Sequence, residues 1–154
     1  MPNGWIIALA AMFPNVFWMV FPPRETPPPD EEPSTGPTKL LKILEQIGRM
    51  GVFVVPFFYR INISGTGERI CAGIMLLALA VYYAGWARYF LRGREYALLY
   101  KAMLNIPVPL AISPVVYFGA ASLLLHSPIL AIVAILLGVS HIPLGYQQAK
   151  RLGL

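Results

Sequence analysis

The sequence predicts an all-α integral membrane protein, a bundle of about five transmembrane helices, several of them kinked by proline. Three observations lead there. Hydrophobic residues make up 57% of the 154-residue chain and charged residues only 12%, against roughly 45–50% and about 25% in soluble domains. The mean hydropathy is +0.63. The apolar residues also fall in runs close to the ~20 residues that cross about 30 Å of hydrocarbon, and basic residues gather at the ends of those runs. So little polar surface cannot cover a soluble globule, and a lipid-facing exterior removes the need for it.

The first span is Trp5 to Phe21, uncharged and interrupted only by Pro14 and Asn15. Pro22 and Pro23 stop it, which places the first transmembrane helix within residues 1–22. Residues 23–38 differ in kind. From Pro22 to Thr38 there are seven prolines and four acids, with no large apolar side chain beyond the proline rings. Such a stretch cannot bury enough surface to offset its ordering entropy, so it is an extended, solvated Pro/Glu-rich cytoplasmic linker. The remaining membrane bundle occupies 39–154.

Thr38 is placed to cap the second helix. Lys42, Glu45, Gln46 and Arg49 recur at the i, i+3, i+4, i+7 spacing of one helical face, and from Met50 to Tyr59 the chain is wholly apolar, with Pro56 inside. We read residues 39–62 as one kinked helix with an amphipathic first half. If that half only lies at the interface, the bundle has four spans.

Residues 64–69, SGTGER, read as a loop, and Ile70 to Ala87 is the cleanest span, without charge or proline. Residues 88–105 carry Arg88, Arg92, Arg94 and Lys101 against Glu95 and form a basic cytoplasmic loop. Ile106 to Leu125 is the fourth span, with Pro107, Pro109 and Pro114. His126-Ser127-Pro128 leaves room only for a tight antiparallel hairpin into the fifth, which includes His141 and Pro143 and ends at Lys150 and Arg151.

Five spans put the termini on opposite sides. With the C-terminus inside, ten of the twelve basic residues lie in or next to cytoplasmic segments, and only Arg60 and Arg69 lie outside. The positive-inside rule therefore favours a multi-pass, N-out/C-in arrangement. The lack of a positive region ahead of Trp5 speaks against a cleaved signal peptide, and a bacterial cytoplasmic membrane is the expected location.

The net charge of +5 does not imply nucleic acid, because the basic residues mark span ends rather than an interleaved basic and aromatic groove. Cys71 has no second cysteine to pair with. There is no HExxH, GxSxG or P-loop motif, and two distant histidines make no metal or haem site, so no enzyme activity, metal or cofactor is expected.

An ionisable residue at membrane depth is costly and marks a candidate site. Under the topology above, Asn15, Glu45, Gln46, Arg49, Ser140 and His141 converge on the inner half of the bundle. Glu45 and Arg49 are one helical turn apart and can pair, and His141 could extend that pair. An ordinary interfacial ion pair outweighs a proton relay here, because long side chains near a helix end snorkel to water. The expected role is that of a non-enzymatic bundle binding a lipid or a membrane-protein partner, itself included. The alternative is a small transporter or channel component that uses Glu45, Arg49 and His141.

Overall fold

The computed structural model of the protein describes residues 1–25 and 36–154. It is all-α, with five helices: α1 (Trp5–Val20), α2 (Gly36–Val54), α3 (Thr66–Leu91), α4 (Pro109–Leu124) and α5 (Pro128–Arg151). Short 3-10 turns at Val55–Phe58 and Tyr96–Leu99 follow α2 and α3. Among the described residues there is no strand, only one isolated bridge between Met103 and Ile106. The helices α3 and α5 are long and apolar enough to cross a membrane, and α1 and α4 are shorter apolar helices. Most of the linker, residues 26–35, lies outside the described residues.

Several boundaries differ from the sequence reading. The second helix does not run to residue 62. It stops at Val54 and tightens into the 3-10 turn containing Pro56, whose ring has no N–H to continue the ladder. Thr38 is not a cap, because α2 already begins at Gly36. Residues 66–69 belong to the first turn of α3, where Glu68 favours the helix N-terminus. The same helix continues through Arg88 to Leu91, which shortens the basic loop.

That loop is folded back onto α3. The Arg88 guanidinium donates to the carbonyls of Leu98, Lys101 and Ala102, tying both sides of the connection to one planar group. The hairpin between α4 and α5 is as tight as expected. His126 takes a left-handed conformation (φ 50°), and Ser127 N donates to Ser122 O while His126 N donates to Leu123 O. This is a Schellman cap with histidine in the place usually held by glycine. Ser127 then caps α5, its Oγ accepting from Leu130 N at 3.1 Å.

The helices alternate in direction and close a ring: α3 packs on α4, α4 on α5, α5 on α2, and α1 bridges α2 and α3. The α2–α5 contact is close because of Gly48, where a Cβ would lie 2.6 Å from Leu137 N. The buried core joins Ile7 and Ala11 of α1 to Val52, Met75, Phe118 and Leu130 of the other helices.

Packing alone does not hold α1, which meets α2 and α3 far less extensively than α3 meets α4 or α2 meets α5. Tyrosine hydroxyls do much of that work. Pro14 cannot donate to Ala10 O, four residues earlier, and Tyr83 Oη of α3 donates to that carbonyl at 2.8 Å. Tyr117 Oη donates to Ile7 O at 3.0 Å, Asn15 Nδ2 donates to Tyr82 Oη at 2.8 Å, and Tyr89 Oη reaches Phe21 O.

Removing the Tyr83 hydroxyl should leave the Ala10 carbonyl unmet. We predict that Tyr83→Phe lowers stability by about 1–3 kcal/mol, the cost of an unsatisfied buried polar group. Reversible unfolding of the protein in mild detergent measures this, and an unchanged midpoint would remove the hydroxyl from the account of how α1 is held.

Candidate functional site

Inside the ring, at the end where α1, α3 and α5 finish and α2 and α4 begin, lies a cavity of about 560 Å³. All five helices line it. Part of its wall is apolar and aromatic, with Phe53, Leu110, Phe118, Leu137 and the rings of Tyr82 and Trp86. Trp86 Nε1 is buried and has no hydrogen-bond partner among the described residues; its ring meets that of Tyr82 edge-on, with centroids 6.2 Å apart. Polar side chains line the rest: Thr38, Lys42, Glu45 and Arg49 from α2, and His141, Gln147, Gln148 and Arg151 from α5.

The fixed polar feature is centred on Glu45. Its Oε1 accepts from Arg49 Nη2 at 2.7 Å along α2 and from His141 Nδ1 at 2.6 Å across to α5. The antiparallel packing of α2 on α5 through Gly48 brings this contact about, since it sets residues 96 apart in sequence side by side. A carboxylate held ionised by an arginine can only accept, so the proton on the imidazole belongs on Nδ1. That leaves Nε2 as the ring nitrogen not engaged by Glu45. The side chains of Glu45 and His141 are 19% and 24% exposed, while Arg49 is 48% exposed. The Glu45–His141 contact is therefore the better shielded of the two.

Tyr100, in the loop after α3, also borders the cavity. Burial, reinforced by its contact with the Tyr96 hydroxyl, pushes its phenol above the usual tyrosine value. It is a neutral hydroxyl at any physiological pH.

Of the six residues expected to converge, Asn15, Glu45, Arg49 and His141 share this cavity. Gln46 and Ser140 do not line it. Gln46 is exposed on another part of α2. Ser140 is fully buried, and its hydroxyl is spent on the carbonyls of Leu136 and Leu137 in its own helix. The aromatic wall and the Gln147–Arg151 rim have no distinguishing signal in the sequence. A tryptophan near the end of an apolar run fits a membrane interface equally well, and only the fold turns Trp86 toward the cavity. Among the described residues no group of three or more His, Cys, Asp or Glu side chains is placed to hold a metal ion. Comparison with protein-family models, curated proteins and solved structures finds no match for this chain.

The cross-helix contact is open to a direct test. In a double-mutant cycle of Glu45→Gln and His141→Ala, we expect a coupling of about 1–2 kcal/mol in unfolding free energy. Arg49→Gln, on a half-exposed pair, should cost no more than about 1 kcal/mol. Additive Glu45 and His141 effects would show that the two side chains do not support each other.

Proposed function

We propose that the protein is a multi-pass membrane protein, N-out and C-in, that holds a lipid in the cavity enclosed by its five helices. The observation that carries this reading is the way α2 is turned. Leu40, Ile43, Ile47, Met50 and Val54 face outward, each about half exposed, whereas Lys42, Glu45 and Arg49 line the cavity. A helix on a soluble protein buries its apolar stripe and shows its charges to water. Ionisable residues of membrane helices instead face the bundle interior or a polar cavity.

The other helices agree with that orientation. Only 28% of the residues in the apolar windows of α3 and α5 are buried within the bundle, and Ile74, Leu77, Ile132, Ile135 and Val139 are among the exposed ones. Large apolar side chains recur along the outer faces of these helices, where a soluble monomer keeps its contiguous apolar patches small. Ten of the twelve basic residues belong to the cavity end of the bundle or the segments joined to it, with Arg60 and Arg69 at the other. That asymmetry supports a cytoplasmic cavity mouth, and we take the bacterial cytoplasmic membrane as its setting.

The lipid assignment rests on size and lining. A volume of about 560 Å³ is within the roughly 300–1,000 Å³ usual for small-molecule sites, which are mostly apolar with a few convergent polar groups.

A second reading, a small transporter or channel component, draws on the Glu45–His141 contact inside the cavity. It needs an opening at the opposite end as well. There the core residues Tyr117, Leu124, Leu125 and Leu130 are packed together, which favours a pocket with one mouth over a passage.

Two measurements test the proposal. With Cys71 replaced by serine, single cysteines at Thr66 and Arg92 should be labelled from opposite faces of intact cells, and labelling from one face would reject the topology. Protein purified in a maltoside detergent should carry close to one lipid per chain by native mass spectrometry. Met12→Trp, which narrows the cavity without adding charge, should lose that lipid while keeping its thermal transition. Unchanged lipid content would place the lipid elsewhere.

A further inference from the structure

We infer that the cavity selects an anionic amphiphile with a single hydrocarbon chain, its phosphate or carboxylate head received by Arg49 and His141. This rests on the lipid-binding reading and adds the chemical class of the ligand. The argument begins with Glu45, the only carboxylate in the cavity lining among the described residues. Its charge is met from two sides, by Arg49 and by His141, so it presents little uncompensated negative potential to a ligand. Arg49 commits one Nη2 hydrogen bond to Glu45. A guanidinium has five N–H donors in a rigid fork, which leaves most of that fork for an oxyanion at the mouth. The Nδ1 of His141 is occupied by Glu45, which leaves the other ring nitrogen to face a ligand beside Arg49.

Beside these groups, Phe53, Leu110, Phe118 and Leu137 line the same cavity and offer no hydrogen-bonding side chain, so hydrocarbon covers them better than a polar group does. The volume suits one chain with a compact head. A two-chain phospholipid exceeds the drug-sized ligands that cavities of this size enclose. The juxtaposition of a guanidinium and an imidazole with these apolar side chains points to a ligand that is polar at one end and negative there.

Trp18 and Trp86 both border the cavity and serve as fluorescent reporters for the test. Full-length protein in maltoside micelles would be titrated with dodecyl phosphate, dodecanol, dodecyltrimethylammonium and inorganic phosphate. Native mass spectrometry would count the bound molecules. Dodecyl phosphate should bind about tenfold more tightly than dodecanol, the scale of one charge-assisted hydrogen bond, with the ammonium weaker still. Inorganic phosphate, lacking the chain, should leave the fluorescence unchanged across the range that saturates dodecyl phosphate. Arg49→Gln should remove the preference for phosphate and leave dodecanol binding as it was, and Arg49→Lys should keep part of the preference. Equal binding of the three dodecyl compounds would overturn the charge selection while leaving a lipid cavity intact. Inorganic phosphate matching dodecyl phosphate would overturn the requirement for a chain. No binding of any amphiphile would overturn the lipid reading itself.

Discussion

The ring of helices depends on how α1 is fastened. Four helices form a row, α3–α4–α5–α2, with extensive helix-to-helix packing, and α1 closes the gap between its two ends with comparatively little. Hydrogen bonds from tyrosines supply part of what packing does not. Pro14 deprives Ala10 O of its usual donor, and Tyr83 replaces it from the neighbouring helix. A polar backbone group in an apolar setting is expensive to leave unpaired, so the same proline that weakens α1 as a helix also directs where it docks. With α1 in place, Met12, Asn15 and Trp18 complete the cavity wall.

A second constraint follows from the apolar exterior. The outward face of α2 carries Leu40, Ile43, Ile47, Met50 and Val54, while Lys42, Glu45 and Arg49 border the cavity. There they meet α5, and the absence of a side chain at Gly48 lets the two backbones approach closely enough for Glu45 to reach His141. The contact is economical in chemical terms: one carboxylate oxygen neutralises an arginine and fixes the tautomer of a histidine. It also explains why the polar cluster lies at one end. The opposite end of the bundle is filled by the packed core around Tyr117 and Leu130, and its own charged contact, Glu68 with His126, is a longer one of 3.6 Å at an exposed turn.

Much of this was legible in the residues themselves. The all-α class, the number of helices and the tight turn at His126-Ser127-Pro128 follow from apolar run length and proline placement, because each is decided locally, within one turn or one segment. The i, i+4 pairing of Glu45 with Arg49 is local in the same sense. The end of α2 was less legible, since whether Pro56 kinks a helix or ends it depends on what surrounds the freed backbone. The extension of α3 through Arg88 belongs to the same class: its guanidinium is held by carbonyls ten to fourteen residues further on.

The sequence by itself determined the all-α class and the apolar character of the helices, because run length and residue type are properties of the chain. Only the tertiary structure decided which side chains meet. Ser140 and His141 are neighbours in the chain, yet the helical turn of about 100° between them sends one into its own backbone and the other to Glu45. Trp86 carries no mark in the sequence that distinguishes a membrane-interface ring from a cavity wall. That distinction is one of helix rotation, and rotation is set by the packing of all five helices at once.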